Sequence, residues 1–161
     1  MSAAGVALEE LARLPGTLAA CRGNVFLQVR RGPLTEDVFD RVAAAMRRHR
    51  IRVPRGTPHG IVAVVEEGAP IAGEEVRTKQ RAAVQDQLKD HAARFATIIV
   101  GDGLEASLLR SASRGVVPSH PQLRIVSLPE EAAAWLAPEI GVDPTQLREV
   151  IEECRSRAAV L

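Results

Sequence analysis

Four stretches of the chain carry apolar residues in the patterns of β-strands. Ile61-Val62-Ala63-Val64-Val65 and Ile98-Ile99-Val100 are uninterrupted and mostly β-branched, as parallel strands buried on both faces are. Val25, Leu27 and Val29 alternate with Asn24, Phe26, Gln28 and Arg30, which predicts a strand with one better-buried face. Leu123-Arg124-Ile125-Val126 is the fourth. Helical spacing joins Val38, Val42, Ala45, Met46 and His49, and again Leu104, Leu108 and Ala112. The longest predicted helix runs from Glu74 to Phe95, with Val76, Val84, Leu88, Ala92 and Phe95 inward. Residues 1–14, with Val6, Leu8, Leu11 and Leu14, predict a short helix stopped by Pro15-Gly16.

Boundary residues sharpen these elements. Thr35 is placed to cap a helix whose first turn holds Glu36 and Asp37, and Leu34 and Phe39 have the spacing of a hydrophobic staple. Ser127 and Glu130 form a capping-box pattern before a helix over Glu130–Leu136 that Pro138 is expected to end. Asp143, Pro144 and Gln146 open a last helix with Leu147, Val150, Ile151, Cys154 and Ala158 on its apolar stripe.

Strands and helices thus alternate, which implies an α/β protein. The expectation is one domain over 1–161, built on a single four-stranded, mostly parallel or mixed sheet with helical crossovers. Extra helices are expected at both ends: an N-terminal helical extension over 1–20 and an appended helix over 143–159. The first strand, poorest in apolar residues, is expected at an edge, where it can pair antiparallel.

Two stretches resemble the STAS-like family, which includes anti-sigma-factor antagonists and a lipid-binding branch related to the Sec14 fold. They are Val29-Arg30-Arg31-Gly32-Pro33-Leu34-Thr35 and Ile125-Val126-Ser127-Leu128-Pro129-Glu130-Glu131-Ala132-Ala133-Ala134-Trp135-Leu136. The resemblance covers about 24–136. It implies a non-catalytic regulatory or adaptor module that binds a protein partner, itself included as a homodimer; the lipid-binding branch implies an apolar ligand instead. Partner-switching members carry a phosphorylatable Ser or Thr in the loop after a central strand. The matching loop here, Glu67 to Glu75, has neither, so the usual phospho-switch is not expected.

Composition narrows the chemistry. Aromatic residues make up 2% of the chain, with no Tyr, so the core must be aliphatic and Ala-rich, and base-stacking platforms are largely excluded. Residues 1–60 hold ten Arg against five acids, while the remainder is acidic. The densest cations, Arg47, Arg48, Arg50, Arg52 and Arg55, close the first helix and its following loop. Such a patch can grip phosphates, but cations also suit a helix C-terminus, and no nucleic-acid motif accompanies them. Sequence-specific nucleic-acid binding is not expected.

Cys21 and Cys154 lie far apart with no C-x-x-C, which suits buried thiols in a reducing cytoplasm. The N-terminal residues do not resemble a signal peptide, and no apolar run reaches the ~18 residues of a membrane span. Cytoplasmic location is the expectation. The four His are scattered, so no metal site is expected.

Gly101-Asp102-Gly103-Leu104-Glu105-Ala106 fits a dinucleotide fingerprint in outline. Asp102 and Glu105 would set negative charge against a pyrophosphate, and only one strand follows, so no cofactor is expected. No catalytic residue is assigned. The candidate partner-binding surface is the carboxyl edge of the sheet, with Glu67, Glu74, Glu75, Gly101, Asp102, Gly103 and Glu105. Trp135 is expected to pack across the sheet edge.

Overall fold

The computed structural model describes residues 7–116 and 119–161. Its strands are β1 (Glu9–Leu14), β2 (Thr17–Arg22), β3 (Val25–Arg30), β4 (His59–Val65), β5 (Ala93–Ile99) and β6 (Leu123–Val126). Its helices are α1 (Glu36–Arg52), α2 (Glu74–Gln87), α3 (Leu104–Val116), α4 (Pro129–Ile140) and α5 (Pro144–Ala158). All six strands form one sheet in chain order. β1 to β3 are an antiparallel meander, and β3 to β6 are parallel.

The α/β class and the single mixed sheet agree with the pattern of the sequence; four strands and an N-terminal helical extension do not. Where a helix was expected, residues 9–22 form a hairpin, and residues 1–6 of that predicted helix lie outside the described residues. Leu18-Ala19-Ala20-Cys21 is poor in β-branched residues, so local propensity gives no strand signal. Pairing on both sides and burial of Thr17 through Cys21 to 4% exposure or less override it. Pro15-Gly16 is the hairpin turn rather than a helix stop. Gly16 takes φ +74°, and a Cβ there would lie 2.8 Å from the Gly32 Cα, so only glycine fits. The hairpin also moves β3 from the expected edge to the interior of the sheet.

The predicted helix over 74–95 is two elements. α2 stops at Gln87, the Asp90 carboxylate accepts the Ala92 N–H at 3.1 Å, and Ala93 and Phe95 are buried in β5. α1, at 17 residues, is the longest helix. Thr35 and Asp143 cap their helices as expected, accepting from the Val38 and Gln146 N–H groups. The Ser127 capping box does not form: α4 starts at Pro129 after Leu128, and it continues through Pro138 to Ile140. Gly141 ends it at φ +73°.

The two faces of the sheet are covered differently. Leu27, Val29, Val62, Val64, Ala96 and Ile98 pack with Leu136, Leu147 and Ile151 of α4 and α5 into the main core. Trp135 packs against that core with the Arg124 guanidinium of the edge strand 5.6 Å from its ring. On the opposite face, Phe26 and Ile61 meet Val38 and Val42 of α1, while Val65, Ile99 and Ile125 meet Ala106 and Leu109 of α3. α2 spans the gap between these two clusters.

Candidate functional site: a cleft beneath α2

A helix over a central strand needs large apolar residues to fill the space to the sheet, and α2 has few. Between Val76 and Val84 its sequence is Arg-Thr-Lys-Gln-Arg-Ala-Ala, and Val76 is the one buried residue of the helix. α2 therefore leans on α1 and α3 at its sides, and no strand packs closely beneath it. The space left is a cleft of about 700 Å³.

Its floor is β4 and β5. Ile61, Ala63 and Val65 are half-buried although β4 is flanked on both sides, whereas Val62 and Val64 on the other face are fully buried. Ala63 and Thr97 are small and lie opposite each other in register, which deepens the middle of the floor. α1 supplies Phe39, Val42 and Met46 as one wall, α3 supplies Leu109, Ala112 and Ser113 as the other, and Ala83 and Val84 form the roof.

The roof is pinned at its rim by polar contacts. Lys79 reaches Asp40 of α1 at 3.1 Å, Gln87 donates to the Met46 sulfur at 2.8 Å, and Arg50 bonds Asp90 just past α2 at 2.7 Å. His59, buried at the amino edge of the sheet, places Nδ1 3.1 Å from the Thr57 carbonyl oxygen and Nε2 3.6 Å from Asp90. Desolvation works to raise the Asp90 carboxyl. The Ala92 N–H and the Arg50 and His59 charges outweigh it, so the group sits below its ordinary value.

The cations around the cleft outnumber its free anions. The lining carboxylates Asp86 and Asp90 are paired with Lys89 and Arg50, respectively. Arg30, Arg47 and Arg77 also line the cleft and have no carboxylate partner among the described residues. Arg30 is 8% exposed, and burial pushes its guanidinium below its ordinary value. Its Nη1 donates to the carbonyl oxygens of Gly32 at 3.1 Å and Pro70 at 2.6 Å.

The arginines expected to act as one basic patch are divided. Arg47 and Arg50 face the cleft; Arg48 donates to the Leu11 carbonyl oxygen, and Arg52 pairs with Glu9, both on the β1 side. Arg55 lies in the loop after α1 and pairs with nothing among the described residues. A helix turns 100° per residue, so consecutive arginines cannot share a face.

The candidate partner-binding residues lie in the loops that follow β4 and β5 and in the first turns of α2 and α3. Glu67, Glu74, Glu75, Asp102 and Glu105 are exposed without ion pairs among the described residues, and Gly101 and Gly103 carry the chain from β5 into α3. Gly101 adopts φ +106° beside the Glu67 side chain. The Arg110 guanidinium donates to the Ile99 carbonyl oxygen at 3.1 Å and to that of Gly101, which fixes the turn. The expected inward face of α3 is off by one to two positions. Leu104 and Leu108 are 77% and 50% exposed, and Ala106 and Leu109 are buried.

Burial pushes the Cys154 thiol up to about 12 and raises that of Cys21, so neither presents a thiolate. No three His, Cys, Asp or Glu among the described residues could hold a metal ion, and no described helix is long and apolar enough to cross a membrane. Comparison with known protein families, characterised proteins and solved structures returns no match. Of the cleft residues, the sequence marks Arg47 and Arg50 as candidates, as part of a basic patch, and two further signals of the cleft itself are present in it. They are the short supply of large apolar residues in α2 and the lone Ala63 within an otherwise bulky strand.

Proposed function

We propose that this protein is a non-catalytic binder of a small, largely apolar molecule held in the cleft between α2 and the sheet. The supporting observation is that the central strand β4 leaves Ile61, Ala63 and Val65 half-buried beneath a helix that does not close on them. Ligand sites typically have volumes of about 300–1,000 Å³ and are mostly apolar with a few polar groups, and the cleft fits that description. Native mass spectrometry of freshly purified protein tests the reading. A bound mass that extracts into organic solvent is expected; protein free of ligand that also fails to bind any apolar probe would refute it.

A second reading is a protein-interaction module of STAS-like type acting as a homodimer. Leu104 and Leu108 favour it, being exposed side by side on α3 next to the acidic carboxyl edge. A dimer mass that the double substitution L104S/L108S removes would support this reading, and a monomer at all concentrations would refute it.

A further inference from the structure

Resting on the cleft as the binding site, we propose that its ligand is an amphipathic carboxylate, with its head at Arg30 and Arg77 and its aliphatic tail over Ala63 beneath α2. Arg30 ends β3, and Arg77 lies in the second turn of α2, so both belong to the carboxyl edge of the sheet. The Pro70 carbonyl that accepts from Arg30 lies in the segment leading into α2, which ties the two positions together.

Buried charges in proteins are ordinarily paired, because an unpaired one carries a large desolvation penalty. Arg30 is not paired in that sense. Two carbonyl oxygens take its Nη1, and its Nε and Nη2 have no partner among the described residues. The carboxylate nearest along the sheet is unavailable. Glu66 bonds the Arg30 carbonyl oxygen through its own N–H at 2.9 Å, but its side chain projects from the opposite face and is held by Arg155 at 2.7 Å.

Arg77 repeats the situation. Its Nε is buried without a hydrogen-bond partner, and it forms no ion pair among the described residues. Two guanidinium groups therefore line one end of an apolar cleft with unspent N–H donors, and a guanidinium fork matches a carboxylate with two parallel bonds. Beyond them the cleft runs along Val65, Ala63 and Ile61, a path of about 13 Å at the rise of a parallel strand. Arg50 and Lys89 at the far end are already occupied by Asp90 and Asp86, so the free positive charge is concentrated at the Arg30 end and at exposed Arg47.

Calorimetric titration of the full chain with decanoate, decanol and acetate tests the assignment, using wild type and Arg77→Gln. Arg77 is half-buried on α2, so this variant keeps the fold, which its unfolding transition verifies; Arg30 is left in place. Decanoate is expected to bind wild type at least tenfold more tightly than decanol, and acetate to show no binding. Arg77→Gln is expected to weaken decanoate at least tenfold and leave decanol unchanged. Decanol binding as tightly as decanoate, or decanoate unaffected by Arg77→Gln, would overturn the head-group assignment and leave the apolar cleft standing. Binding of neither chain would overturn the cleft itself.

Discussion

Glu66 and Arg155 form a two-pronged ion pair across the chain, with Nη2 to Oε1 at 2.7 Å and Nε to Oε2 at 3.0 Å. Glu66 follows the last residue of β4 and is 7% exposed; Arg155 lies in the last turn of α5. The pair fastens the C-terminal helix to the carboxyl end of the central strand, on the face away from the cleft. The bond to Glu66 also holds the Arg155 guanidinium above its ordinary range, against desolvation.

Removing one partner would leave Glu66 buried and unpaired, which costs more than the pair itself contributes. Arg155→Ala is expected to lower stability by about 2–3 kcal/mol, at the lower end for a buried pair because Arg155 keeps 23% of its side-chain surface. Arg155→Lys should lose less, since it keeps the charge and gives up only the fork. Urea midpoints for the three proteins would show this order, and equal midpoints would mean the pair contributes nothing.

The cleft should be separable from the fold. Ala63 sits in the middle of the floor with open space above it, so a larger apolar side chain fills a void instead of straining a packed core. Ala63→Phe is expected to keep or raise the melting temperature while abolishing binding of apolar probes. Loss of more than a few degrees would show that α2 already closes on the strand.

Acid should weaken the protein through His49 before it reaches the carboxylates. His49 is buried, and its Nε2 lies 2.9 Å from the Gly23 carbonyl oxygen, which can only accept, so Nε2 carries the proton. Burial pushes the imidazole below its ordinary 6.5; the Gly23 bond resists this, and His59, Arg52 and Arg50 add to the push. The folded form therefore takes up its second proton at lower pH than the unfolded chain. The stability contributed by neutral His49 is fully present above about pH 6.5 and is lost as pH falls below it. Asp90, also held below its ordinary value, loses its contribution only in the acid range under 3.8. Denaturation midpoints should drop between pH 7.5 and 5.5 in wild type, and the drop should shrink in His49→Gln. An unchanged pH slope in the variant would assign the loss to another group.

Local stability should differ between the two layers of helices. α4 and α5 bury Leu136, Ile140, Leu147, Val150 and Ile151 against the sheet, whereas α2 buries only Val76 and is held at its rim by polar contacts. Surface ion pairs contribute at most about 1 kcal/mol each, so they hold α2 weakly. Amide hydrogen exchange is expected to be faster over Glu74–Gln87 than over α4 and α5, and to slow when decanoate is bound. Equal protection in the three helices would contradict the open cleft.

Local pattern alone determined the α/β class, the existence of β3, β4 and β6, and the helices α1 and α5 with their caps, whereas the interior, parallel place of β3 beside β4 came from the hairpin that precedes it. In those segments periodicity, β-branching and capping residues all point the same way, and each signal lies within a few residues of chain. The carboxyl-edge turn at Gly101-Asp102-Gly103 was legible for the same reason. Tertiary structure decided the rest. Leu18-Ala19-Ala20-Cys21 becomes a strand because two neighbours supply its hydrogen bonds, and the predicted helix over 74–95 breaks because β4 and β6 both pair with Ala93–Ile99. The cleft is the furthest from local pattern. It exists because one helix with little apolar bulk lies over a strand with an alanine at its centre, 20 residues earlier in the chain than Ala83 of the roof. A void is a property of facing surfaces, and no single stretch of sequence carries it. The same holds for Arg30, whose burial beside a cleft rather than a carboxylate follows only from Glu66 turning to the other face.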